Sequence, residues 1–325
     1  MTFRTEIFPD NQGLTICYRD HIMLMGSCFV ENIGHKLLSG RFATCLNPFG
    51  IVFNPASIAS GVRMLVENKR FSEDDLCFHD GQWHSFSHHS RYSASDKNEC
   101  LSRINAELVS ASSFLRKSTI LIITFGTAWI FERADNGKVV SNCHKMPAEN
   151  FRRRLLSAEE ISALFSEALS AVIQINPQIK ILFTLSPVRH FKDGAENNSL
   201  SKAVLRLAID NLCSQHKAKY FPAYELVMDD LRDYRFYDSD LCHPSLQAIE
   251  YIWEKFSECY FENETKNILK KIEDLNAALH HKPFNPGSDM YRKFINKNIA
   301  LIDEWSKQYP FLNLTNLKSA FSELI

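Results

Sequence analysis

Ser27, Asp240 and His243 are the residues of this chain whose types and order suit nucleophilic chemistry. Ser27 closes the apolar run His21-Ile22-Met23-Leu24-Met25-Gly26, and the other two lie together in Asp240-Leu241-Cys242-His243-Pro244. In a serine relay the imidazole removes the hydroxyl proton, while a carboxylate fixes the ring's tautomer and stabilises the imidazolium that forms. Three residues separate Asp240 from His243, so the pair can meet without help from distant segments. Taken singly, Ser27 and Asp240 have an ordinary use, because Ser and Asp are also the residues that cap helices. Cys28 is a second nucleophile by type, but a free thiol on a helix face behaves mostly as a small apolar side chain.

The elements that must position these groups follow from periodicity. Phe29, Ile33 and Leu37 recur at i, i+4 and i+8, so a buried strand turns through Gly26-Ser27 into an amphipathic helix. Gly allows a sharp corner there, and the free N–H groups of the helix start can meet negative charge. Ala43-Thr44-Cys45-Leu46 predicts a strand ended by the turn Asn47-Pro48-Phe49-Gly50, followed by a helix over Pro55–Glu67. The near-continuous run Thr119–Gly126 after a helix over Glu99–Leu115 predicts a strand buried on both faces, hence a parallel sheet. Lys180–Leu185 repeats the pattern between helices over Ser157–Ile175 and from about Ser199, and Tyr220–Tyr224 with Pro222 predicts an edge strand. Five alternations point to a three-layer α/β/α fold with a mainly parallel sheet, of flavodoxin-like type, in which Ser27, Asp240 and His243 share the carboxyl edge.

Residues 1–262 form this α/β domain, and 263–325 read as a helical extension packed back on it, because Phe284, Tyr291, Phe294, Ile299 and Trp305 need burial. Around 71–92 the rhythm breaks in an insertion carrying His79, Trp83, His84, His88 and His89. His84 and His88 have the i, i+4 spacing of a metal pair, but without HExxH or a clear carboxylate partner the segment reads as a solvated or substrate-lining loop. Neither a metal nor a cofactor is expected.

Composition narrows the partners. The 325 residues carry a net charge of −1, which gives no basic footprint for nucleic acid and no polybasic stretch for a membrane surface. No run approaches a membrane span, and Thr2-Phe3-Arg4-Thr5-Glu6 leads into polar residues rather than an export signal. The odd number of cysteines, 9, then favours thiols over a disulfide framework, and the expected location is the cytoplasm. A small or carbohydrate ester is the expected partner; nothing fixes the oligomeric state.

Gly26-Ser27-Cys28-Phe29-Val30 resembles the signature of the GSCFA family, bacterial proteins related to SGNH hydrolases, with Val30 where the family name has Ala. The resemblance extends to Asn47-Pro48-Phe49-Gly50, Gly126-Thr127-Ala128-Trp129, Asn142-Cys143-His144-Lys145, Ser186-Pro187-Val188-Arg189-His190 and Asp240-Leu241-Cys242-His243-Pro244, which together cover most of the chain. It implies a serine acyl-ester hydrolase, with sugar O-acetyl groups as a substrate class. Ser27 would be the nucleophile, His243 the base and Asp240 its orienting partner, and the N–H groups of Ser27 and Gly50 would hold the oxyanion. Asn47, Thr127, His144, Arg189 and His190 fall in the shared motifs and are candidates for substrate contact.

The third block departs from the relatives' Gly-x-Asn-Asp pattern, because Ala128 and Trp129 replace Asn and Asp. Losing one oxyanion donor costs about 10²–10³ in rate, so another group should fill the role. Asn142 is the first candidate, and a structural turn at Asn142 and His144 is the alternative. An acyltransferase would use the same residues, and a non-catalytic binding protein on this fold stands as a different class.

Overall fold

Alternating apolar runs and amphipathic segments assemble into a five-stranded sheet in which every neighbouring pair is parallel. The structure is a computed structural model and describes residues 4–324; residues 1–3, part of the stretch read for an export signal, lie outside them. The chain runs β1 (His21–Gly26), α1 (Cys28–Ser39), β2 (Ala43–Leu46), α2 (Pro55–Val66), β3 (Cys77–His79), β4 (Gln82–His84), α3 (Lys97–Lys117) and β5 (Ile120–Phe125). It continues through β6 (Trp129–Arg133), β7 (Val139–Val140), β8 (Phe151–Leu155), α4 (Ala158–Ile175), β9 (Lys180–Leu185), α5 (Gly194–His216) and β10 (Lys219–Phe221). A short turn α6 (Ala223–Glu225) runs on into the wider winding of Leu226–Leu231, and α7 (Leu246–Tyr260), α8 (Asn263–His280), α9 (Asp289–Gln308) and α10 (Thr315–Ser322) complete it. Among the described residues no helix is long and apolar enough to cross a membrane.

Strand order is β10-β9-β5-β1-β2. The side chains of β1 alternate between the two layers: Ile22 and Leu24 pack with α1 and α7, whereas Met23 and Met25 pack with the apolar faces of α2, α3 and α4. The connection leaving β1 therefore covers one face of the sheet, and the helix that follows β5 covers the other. Between such strands a crevice opens at the carboxyl edge, the usual ligand position in an open parallel sheet. Ser27 is the first residue past β1 at that crevice.

The C-terminal helices share the α1-side core: Ile268, Ile272, Ile295, Ile302, Leu317 and Phe321 cluster with Ile33, Leu37 and Trp253. Each such side chain, fully buried, contributes about 1.5–3 kcal/mol relative to exposure, which is ample to hold the extension on the domain.

Two features add to the predicted elements. The insertion read as a loop contains the hairpin β3–β4, closed by Asp80-Gly81 with φ of 48° and 74°, the positive values a two-residue turn needs. Between β5 and α4 lies an antiparallel sheet of order β7-β6-β8, where the sequence reading assigns no strand. Its β8 reads Phe-Arg-Arg-Arg-Leu, and the inward position is held by Arg153, whose guanidinium sits 4.9 Å from the Phe131 ring and pairs with Asp193.

Candidate active site

Gly26 forces the corner that presents Ser27. Its φ is +149°, and a Cβ there would collide with the Thr124 carbonyl oxygen on the neighbouring strand, where Gly26 and Thr124 are register partners. Its N–H is held by the Asn47 side-chain oxygen at 2.8 Å, and its carbonyl accepts from Val52 N–H at 3.2 Å. Ser27 is the N-cap of α1, yet its hydroxyl makes no capping bond. The residue is 1% exposed and its Oγ has no hydrogen-bond partner among the described residues. A buried hydroxyl left unpaired at the positive end of a helix costs stability, and such departures concentrate where chemistry occurs. Thr124, Thr184 and His190 place further unpartnered polar atoms at this same carboxyl edge.

Asp240 and His243 form a pair by themselves. The carboxylate accepts from the His243 ring Nδ1 at 2.6 Å and from the backbone N–H groups of Cys242 and His243 at 2.8 and 2.9 Å. The His243 backbone N–H, then the His243 ring, hold the Asp240 carboxyl down at about 2. Because that value is depressed, the stabilising contact is complete above the ordinary carboxylate range and is lost only as the pH falls towards about 2. The pair is half-exposed and is tied to the loop after β9, where Arg189 N–H donates to Cys242 O at 3.1 Å and its guanidinium to Leu241 O at 3.4 Å. Three aromatic rings, Phe191, Tyr234 and Tyr237, surround that guanidinium. Ser27 Oγ and His243 are not hydrogen-bonded to each other: the Asp240–His243 loop is anchored to the loop after β9, which β5 separates from β1, so the relay contact must form with substrate present.

Several expected substrate and oxyanion contacts are engaged elsewhere. Gly50 N–H, expected at the oxyanion, closes the turn by donating to Asn47 O at 2.7 Å. Asn142, expected to replace the third-block Asn, donates to Ser90 Oγ at 3.1 Å and accepts from His144 N–H at 2.8 Å, which is the structural turn. His144 stacks on His84 at 4.4 Å and bonds Ser85 O at 2.9 Å, and burial first, then the neighbouring histidines, brings its pKa down to about 4 against the opposing pull of the Ser85 carbonyl. Thr127 shares its hydroxyl with Ser201 at 3.0 Å. Both ring nitrogens of His84 are bonded, to Ser93 Oγ and His79 O. His88 lies among Phe49, Phe71 and Tyr92 rings. The histidine insertion therefore packs onto the Asn47–Gly50 turn, and Tyr92 OH donates to Pro48 O at 2.6 Å.

Asn47 braces the corner rather than facing a substrate. It is 1% exposed, has φ +46°, and its amide also reaches Glu31 at 3.3 Å. Asn47→Ala leaves Gly26 N–H without an acceptor, a loss of about 1–3 kcal/mol; urea unfolding should show a midpoint lowered at unchanged slope.

Sequence reasoning missed the buried start of α5. Asn198 accepts from His190 N–H at 2.9 Å, Ser201 accepts from Ala128 N–H at 2.7 Å, and the Lys202 ammonium donates to Gly126 O and Ser186 O at 2.7 and 2.6 Å. Lys202 is 3% exposed, and burial lowers its pKa to about 7. Burial, the largest influence, likewise pushes the Cys28 thiol up, against the pull of the Phe29 N–H, its own N–H and Lys202. That disfavours the thiolate a cysteine nucleophile needs.

A groove of about 750 Å³ between α2, α4 and the small sheet is lined by residues such as Ser60, Met64, Phe86, Val139 and Leu164, and none of Ser27, Asp240 and His243 reaches it.

No protein with a curated description matches the chain. A solved structure, an acetyl xylan esterase (Est2A) from the rumen bacterium Butyrivibrio proteoclasticus, is similar at 10% identity and TM-score 0.37 over 75% of this chain; the match spans 64% of that protein's length. Residues 21–256 match the GSCFA family, and residues 272–325 match the GSCFA domain protein, C-terminal domain. With its corner serine, its Asp-x-x-His loop and its helical tail inside those two matches, the chain belongs to the GSCFA family.

Proposed function

We propose that this protein is a serine acyl-ester hydrolase acting on small O-acyl esters, with acetylated carbohydrates as the substrate class. The observation that carries the reading is the unpaired Ser27 hydroxyl, at the N-terminus of α1 and at the carboxyl edge of a parallel sheet, together with a preformed Asp240–His243 pair anchored to the loop after β9 on that edge. In this reading Ser27 Oγ attacks the ester carbonyl and His243 takes its proton, then returns it to the leaving alkoxide. Asp240 stays ionised and keeps the Nδ1 proton of His243 in place, so the other ring nitrogen is the one that works. Water then repeats the sequence on the acyl-enzyme. Incubating the purified chain with aryl acetates and a panel of O-acetylated sugars tests it: acetate release is the expected result, and no release from any of them overturns it.

A further inference from the structure

Acyl transfer from an ester needs a hydrogen-bond donor where the carbonyl oxygen becomes negative. Near Ser27 most donors are engaged. Gly26 N–H is on Asn47, Gly50 N–H is on Asn47 O, and Gly126 and Thr127 N–H both go to Phe53 O at 2.8 and 3.2 Å. Ala128 N–H goes to Ser201, and the Asn142 amide goes to Ser90. Ser27 N–H leans on Thr124 O at a long 3.4 Å and is the backbone donor that can be released.

Besides Ser27 Oγ, three side-chain groups at this edge are buried without a hydrogen-bond partner among the described residues: the Thr124 and Thr184 hydroxyls, which sit within β5 and β9, and His190 Nε2, which lies beyond the strand ends. It lies 3.3 Å from where a Gly126 Cβ would be, so a side chain at Gly126 would crowd it, as it would crowd Phe53 Cβ at 2.8 Å. Gly126 follows β5, whose Thr124 is the register partner of Gly26; His190 thus borders the strand end next to Ser27. The residue is held by packing and by its backbone: its ring lies 5.6 Å from that of Phe53, its backbone N–H donates to the Asn198 side-chain oxygen, and Lys202 ties the neighbouring Gly126 and Ser186 carbonyls together.

We infer that His190 is the side-chain oxyanion donor of this site, its Nε2–H supplying the hydrogen bond that Ala128 cannot. The inference rests on Ser27 being the nucleophile. As Ser27 Oγ bonds to the carbonyl carbon, the C=O π pair moves onto oxygen and the serine proton passes to His243. His190 donates a hydrogen bond to that oxygen and keeps its proton. The C–O bond then breaks, the carbonyl re-forms, and the alkoxide takes the proton from His243. Burial above all, then the charges of Lys202 and His243, holds His190 neutral with a pKa down at about 3, so it keeps a single ring proton and no positive charge. Lys202 bonds only carbonyls and sits within Coulombic reach of Cys28, so its role is to position the two strand ends.

The test compares wild type with His190→Ala on an aryl acetate and follows the ¹⁵N-labelled His190 imidazole by NMR as Ser27 reacts with an aryl phosphonate, whose tetrahedral adduct carries the charge of the intermediate. The expected result is a kcat lowered by about 10²–10³-fold with KM nearly unchanged, and a wild-type Nε2 proton that moves downfield on adduct formation. A folded His190→Ala enzyme with wild-type kcat, while wild type is labelled at Ser27, overturns the His190 role and leaves the esterase reading standing. If His190→Ala does not fold, an Nε2 proton that does not move in the wild-type adduct overturns it alone. A wild type that neither turns over nor labels removes the reading on which it rests.

Discussion

Ser27→Ala and His243→Ala should each lower kcat for an aryl acetate by about 10⁴–10⁶-fold, and the double variant should be no slower than either alone. Ser27→Ala removes the attacking oxygen. His243→Ala leaves a hydroxyl with no effective base, since burial makes the His190 and His144 imidazoles poor proton acceptors, with pKa values down at about 3 and about 4, and His144 is also bonded to Ser85 O. Non-additivity is the informative part, because groups acting in one step are lost together. Cys28→Ser should keep turnover close to wild type, as burial raises that thiol and its side chain packs against the α1-side core. Initial rates over a range of ester concentrations measure all four variants. Additive losses from the Ser27 and His243 variants would mean that the two residues serve separate steps.

Gly26→Ala should damage the fold more than any other single methyl group at the site. The new Cβ meets the Thr124 carbonyl, which belongs to the central strand β5 and cannot rotate away, and alanine rarely adopts φ +149°. Relief requires β1 to part from β5 just below Ser27. The expected cost is about 3–5 kcal/mol, in the range reserved for core and backbone disruption, read as a lowered denaturation midpoint. A variant as stable as wild type would show that the corner is looser than its contacts imply. Gly13, with φ +79° and open space around it, is a control for glycine replacement, since its Ala variant incurs only the local backbone strain.

Much of this architecture was legible in the chain because the parallel strands bury both faces. Ile120–Phe125 and Lys180–Leu185 announce themselves as apolar runs, and the i, i+4, i+8 stripe of Phe29, Ile33 and Leu37 fixes α1. The self-contained pairing of Asp240 with His243 was readable from spacing, since only local backbone is needed to form it. The small sheet was not, because Arg153 occupies an inward position and its stabilisation comes from aromatic faces and Asp193, forty residues on. The Asp80-Gly81 turn did carry a hairpin signal, obscured by the serines and histidines around it.

Within the site, residue type alone suggested too many substrate contacts. Asn47, Thr127, His144 and Arg189 are polar residues in shared motifs, yet their hydrogen bonds brace loops: Asn47 the Gly26 corner, Thr127 the start of α5, His144 the insertion, and Arg189 the Asp240–His243 loop. Only long-range geometry separates such braces from a group left unpaired, as His190 Nε2 is. Lys202 illustrates the same limit: a lysine in an amphipathic helix reads as solvated, and its two carbonyl partners lie at the ends of β5 and β9.

The central claim is that Ser27 forms the acyl-enzyme, and labelling with an aryl phosphonate tests it most directly. Intact-mass measurement followed by peptide mapping should find one adduct per chain, on Ser27, absent from Ser27→Ala and strongly slowed in His243→Ala. An unlabelled wild-type protein, or an adduct that maps to Cys28 and survives Ser27→Ala, would contradict the account.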